Sequence, residues 1–149
     1  MSADCQNLSF FTAIAMHFPS PLANLGSISS VEQRGARWFF EIAGAQAWCC
    51  DFSQGLCVAV KLVCASIDDD WLERATLWLA SIRDALDDAF ALDDDGLWLV
   101  RRYEPQLADT EWEALFNQQV AIANRLGDRQ RHRCQRTNNE RTPNLEAWA

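Results

Sequence analysis

The chain has 149 residues, 49% of them apolar, and a formal net charge of −8. That is one domain with enough apolar content for a core, which excludes a disordered chain. The charge is uneven, since residues 128–149 carry five arginines against three acids while the body before them is strongly acidic. An acidic body excludes nucleic acid as the main ligand, because binding phosphate backbones needs a cationic surface; it fits solubility or a basic partner.

From the N-terminus, residues 3–17 have helical spacing, with Leu8, Phe11 and Ala15 on one stripe and Phe10 and Ile14 on its flank. Phe18-Pro19-Ser20-Pro21 stops that helix, since a residue before proline avoids the helical region. Residues 22–35 read as a loop, or as a weak edge strand over Ile28 to Glu32. Three strands follow between Trp38 and Cys64, in runs rich in branched, aromatic and sulfur side chains broken at Gly44 and Gly55. Closing the first hairpin on Gly44, Ala45 and Gln46, and the second on Ser53, Gln54 and Gly55, puts the large side chains on one face. That face holds Trp38, Phe40 and Ile42, then Trp48, Cys50 and Phe52, then Leu56, Val58 and Val60. The other is mixed, with Arg37, Phe39, Glu41, Cys49, Asp51, Lys61 and Val63.

Asp68-Asp69-Asp70 opens a second helix, where carboxylates suit the positive end of the dipole. Trp71, Ala75, Trp78, Leu79, Ile82 and Leu86 follow at helical spacing. Leu72 and Leu77 widen the apolar arc, as for a helix covered on two sides. Asp94-Asp95-Gly96 between two apolar runs predicts a hairpin and two more strands, ended by Pro105. Thr110-Glu111-Trp112-Glu113 reads as a capping box for a third helix that Gly127 ends. Residues 128–149 read as a disordered basic tail. The expected fold is thus α+β: one domain over 1–127, with about five antiparallel strands and three helices in the order α-β-β-β-α-β-β-α.

Chemistry is hard to place. Cys5, Cys49, Cys50, Cys57, Cys64 and Cys134 have no basic leader sequence before them, so reduced thiols in a cytoplasmic protein are expected. No run reaches the roughly 18 apolar residues of a membrane span. Neighbouring strand residues point to opposite faces, so Cys49 and Cys50 do not readily share a metal ion, and no Cys-x-x-Cys pair is present. Cys50 as a nucleophile needs a base, and the two histidines, His17 and His132, sit at a helix end and in the tail. Asp93-Asp94-Asp95-Gly96 lacks calcium-loop spacing. No enzyme activity, cofactor or metal is expected. What remains is a surplus of rings, seven tryptophans and eight phenylalanines, for a small interior. Exposed apolar patches and tryptophan are marks of binding surfaces.

The stretch Leu92-Asp93-Asp94-Asp95-Gly96-Leu97-Trp98-Leu99, then a proline loop and an amphipathic helix, resembles the small acidic class I chaperones of bacterial type III secretion. Size, acidity and the order of elements over residues 3–126 agree with that family. The resemblance implies a homodimer without enzymatic activity that holds the N-terminal segment of a secreted effector in extended form and brings it to the secretion machinery. The alternative is a chaperone-like regulator that sequesters a cytosolic regulator or anti-activator. On this reading Phe10, Phe11, Ile14, Trp38, Phe40, Ile42 and Trp48 are the partner-contact candidates. Trp71, Leu72, Trp78, Leu97 and Leu99 are the dimer candidates.

Overall fold

A computed structural model describes residues 17–63, 67–85 and 87–140, the side chains of 128–140 excepted. Among them the elements are α1 (Ser20–Ala23), β1 (Ile28–Arg34), β2 (Arg37–Ile42), β3 (Ala45–Phe52) and β4 (Gly55–Lys61), then α2 (Asp69–Ala80), β5 (Asp88–Asp93), β6 (Gly96–Tyr103) and α3 (Asp109–Glu140). The fold is α+β. Its open sheet has six strands rather than about five, all antiparallel, in the order β1-β2-β3-β4-β6-β5. The extra strand is β1, the edge strand that composition signals only weakly because all its residues but Ile28 are exposed.

The register differs from expectation by three residues in the first hairpin and by one in the second. Ala43 and Gly44 alone close the first hairpin, both at positive φ (48° and 77°), as the tight two-residue turn requires. Ser53 and Gln54 close the second. Phe40 therefore pairs with Ala47 and Trp38 with Cys49, while Trp48 pairs with Phe39 and Ala59. With side-chain period two, that slip sends Trp48, Cys50 and Phe52 to the face opposite Phe40 and Ile42. Small residues replace them inside: Ala47 and Cys49 are buried there, where the helices supply the bulk.

The helices cover one face, called here the inner face. Trp71, Ala75 and Leu79 of α2 and Trp112, Phe116, Ala123 and Leu126 of α3 join Phe40, Ile42, Val58, Val60, Leu97 and Leu99 in a single core. Burying a side chain of this size contributes about 1.5–3 kcal/mol. The α2 helix starts at the expected aspartates, and Asp68 caps it, its Oδ1 accepting the Trp71 N–H at 2.7 Å. The α3 cap lies earlier than the predicted box. Glu111 reaches back to the Ala108 N–H at 3.1 Å, and the Trp112 N–H bonds the Ala108 carbonyl. Ala108 is thus the cap position, and the glutamate three residues on supplies the return bond.

Gly127 does not end α3, which continues through it to Glu140, so the expected disordered tail begins with helix. The glycine serves close packing instead: a Cβ there would lie 3.3 Å from the Val63 carbonyl oxygen. The predicted first helix, apart from His17, lies outside the described residues. Phe18-Pro19-Ser20-Pro21 leads into α1, whose first turn carries a proline. Proline fits there because the first-turn N–H groups have no helical acceptor.

Candidate polypeptide-binding surface

The inner face is chemically closed. Gln119 of α3 is fully buried; its Nε2 donates to the Val58 and Leu99 carbonyls (2.9 and 3.0 Å), and its Oε1 accepts from the Tyr103 hydroxyl at 2.7 Å. Arg101 is also buried. Its guanidinium forks onto the Asp88 carboxylate, with Nη2–Oδ2 at 2.6 Å, and Nη1 donates to the Leu115 carbonyl and Gln118 Oε1. A buried charge is tolerated when paired and hydrogen-bonded in this way. Burial pushes the Tyr103 hydroxyl pKa up, and the Cys49 thiol is pushed up to about 12 by burial and then by Asp51. Neither group is poised as a nucleophile near neutral pH.

The outer face is different. Trp48, Ala59 and Trp98 form a second buried cluster, with Phe39, Cys50, Cys57 and Val100 packed around it. Ala59 sits between the two indoles in the strand order, and its small side chain lets them meet edge to face at 6.2 Å. Cations lie over the rings: Arg37 on Trp48 at 4.2 Å, Lys61 on Trp98 at 5.5 Å and Arg34 on Phe39 at 5.0 Å. Each such contact is worth about 0.5–1 kcal/mol at a surface. Trp98 Nε1 donates to Asp93 Oδ1 at 2.8 Å, holding that carboxyl below its usual range. Trp48 Nε1 is buried with no acceptor among the described residues.

Two grooves open beside this cluster. One, of about 380 Å³, has Phe39 and Trp98 among its walls, with Glu32, Arg34, Gln46 and Lys61. The other, of about 500 Å³, runs from Lys61 past Val63 and Ile67 to Gly96 at the β5–β6 turn. They adjoin through Glu41, Gln46, Lys61 and Asp95, which line both.

The sheet edges also differ. β1 is interrupted between Ser29 and Glu32, has Ser30 at φ 55°, and carries the exposed Arg34–Glu32 ion pair. Bulges and charges of this kind discourage strand addition. β5 is regular, with Ala89, Ala91 and Leu92 exposed in its middle. In an antiparallel ladder alternate residues turn their N–H and C=O outward. With Asp93 and Gly96 closing the two-residue turn, the outward residues are Leu92, Phe90 and Asp88. The Asp88 N–H is taken by the Ala85 carbonyl at 3.1 Å. Among the described residues no strand lies beyond β5.

The partner-contact candidates are scattered. Phe10, Phe11 and Ile14 lie outside the described residues. Phe40 and Ile42 are buried in the inner core, Trp38 is half-buried on that face against Phe18, and Trp48 stands on the outer face. Of the dimer candidates, Leu97, Leu99 and Trp71 are buried in the core, while Leu72 and Trp78 are half-buried on α2. The adjacent Leu77 is 64% exposed. Sequence reasoning missed Trp98 as Trp48's neighbour, though its alternation with Leu97 and Leu99 was the available signal. Nothing in the sequence marked Arg101 or Asp88 as buried. Among the described residues no three potential ligands gather to hold a metal, and no helix is long and apolar enough to cross a membrane. Compared with known proteins, the sequence matches no family model and no curated relative.

Proposed function

We propose that the chain is a polypeptide-binding protein of the class I type III secretion chaperone kind, a homodimer that holds the N-terminal segment of a secreted effector in extended form for delivery to the secretion apparatus. The observation that carries the reading is the β5 edge. It is regular, lacks the bulge that interrupts β1, keeps its two aspartates (Asp88 and Asp93) at its ends, and presents the N–H groups of Leu92 and Phe90 outward. An extended segment added there gains backbone hydrogen bonds, and alternate side chains supply specificity. The groove of about 500 Å³ reaches the β5–β6 turn at Asp95 and Gly96 and carries the exposed apolar side chains of Val63 and Ile67. No catalysis, cofactor or nucleic acid enters the proposal. The dimer contact is assigned to α2, around Leu72 and the exposed Leu77.

The test is affinity capture of the full chain from its native cells, with and without Leu92→Pro. Proline at Leu92 deletes an outward N–H and leaves the inward ladder bonds in place; an edge strand tolerates it. The expected result is a secreted protein held through its N-terminal segment, lost on Leu92→Pro while the circular dichroism spectrum is kept. A cytosolic partner that is never secreted points to the regulatory alternative. A monomer that captures nothing contradicts both.

A further inference from the structure

We propose that Cys50 and Cys57 are a redox site, two thiols on the outer face that close to a cross-strand disulfide by exchange with a small-molecule disulfide such as oxidised glutathione. The two residues are direct partners in the β3–β4 register, so both side chains leave the sheet on the same side. Directly opposed residues of an antiparallel pair have Cα atoms about 4.5–5.5 Å apart. A disulfide accepts about 4.4–6.8 Å between Cα atoms and about 3.5–4.5 Å between Cβ atoms, so closure needs rotation of side chains and a small local approach of the two strands. The two thiols lie near enough that Cys50 disfavours ionisation of Cys57. Both are free and half-buried, so a small disulfide can reach them.

Neighbouring groups narrow the chemistry. No third ligand joins the pair among the described residues, which leaves two-thiol chemistry rather than a metal cluster. Cys49, although adjacent in sequence, is fully buried on the inner face opposite Val58 and is out of reach. Burial and the neighbouring Cys50 push the Cys57 thiol up to about 11, so little of it is thiolate near neutral pH and its attack on a disulfide is slow.

The exchange balances in two steps. One protein thiol loses its proton and attacks a sulfur of glutathione disulfide, releasing one glutathione thiolate and leaving a mixed disulfide. The second loses its proton and attacks the protein sulfur of that mixed disulfide, releasing the second glutathione. Two protons pass to the released thiolates, the protein pair is oxidised, and one glutathione disulfide is reduced to two glutathiones. The new bond lies one pair along the face from Trp48 and Ala59, so it alters the surroundings of the Trp48–Trp98 cluster. This inference is independent of the β5 edge.

The experiment uses the full chain with Cys5, Cys64 and Cys134 replaced by serine, treated with oxidised glutathione and then, after unfolding in denaturant, with an alkylating reagent. The expected product has lost two of its three alkylatable thiols and carries no glutathione. Its tryptophan emission drops, and dithiothreitol restores both readings. Chymotryptic cleavage after Phe52 yields two peptides that stay linked until reduced. Cys49→Ser keeps all of this, and Cys50→Ser and Cys57→Ser each abolish it. Cys50→Ala with an unchanged circular dichroism spectrum guards against loss through misfolding. Stable glutathione adducts without closure, a bond that requires Cys49, or three thiols untouched by the oxidant would each overturn the proposal.

Discussion

The two faces of the sheet solve opposite problems with the same residue types. On the inner face every buried polar side chain is answered: Arg101 by Asp88, Leu115 and Gln118, and Gln119 by Tyr103 and two strand carbonyls. On the outer face Trp48 and Trp98 are equally buried, yet surface cations lie over them and one indole N–H has no acceptor among the described residues. The inner face specifies the fold. The outer face and the β5 edge are finished less completely, as expected of a surface left for a partner.

The strongest way to break this contrast is Arg101→Met, which strands the Asp88 carboxylate in the interior. Removing one partner of a buried pair costs about 3–5 kcal/mol, read as a lower urea midpoint. Alkaline pH attacks the same face. The folded chain keeps Cys49 protonated up to about 12 and raises Tyr103 as well, whereas an ordinary cysteine titrates at 9.0. Folded protein therefore holds more protons than unfolded protein above that value. The stabilisation is complete below pH 9.0, falls as pH rises and is gone beyond about 12. Urea midpoints taken across that range decrease, and Cys49→Val makes the decrease shallower.

The outer face is sharpened by a pair of conservative changes. Trp98→Phe loses the bond to Asp93 and lowers the midpoint. Trp48→Phe removes a donor that has no acceptor, and leaves the midpoint unchanged or higher. An equal loss in both variants would show that the two indoles are alike in their needs. The smallest stability effect belongs to Leu77→Arg on the exposed side of α2, within about 0.5 kcal/mol for a surface site. Sedimentation then separates the roles of α2: the proposed dimer dissociates in this variant, and an unchanged mass removes α2 from the interface.

How much of this was legible follows from particular residues. The helix start at Asp68-Asp69-Asp70 and the Asp94-Asp95 hairpin announce themselves through local chemistry, and the structure has them. The register of the first hairpin did not, because it turns on Ala43 adopting positive φ, which alanine composition does not signal. Grouping the largest side chains on one face was the wrong criterion. Helix rings fill the inner side, so the strands there need Ala47 and Cys49, and Trp48 goes out. Gly127 looked like a stop because a helix-end glycine and a close-packing glycine are the same letter; the nearby Val63 backbone decides between them.

The most direct test of the central claim is amide hydrogen exchange on the captured complex, residue by residue along the two sheet edges. Strand addition at β5 predicts that the Leu92 and Phe90 amides slow markedly when the partner segment is bound, while β1 amides keep their rate. Unchanged exchange at Leu92 and Phe90 in a complex that is demonstrably formed would contradict the account.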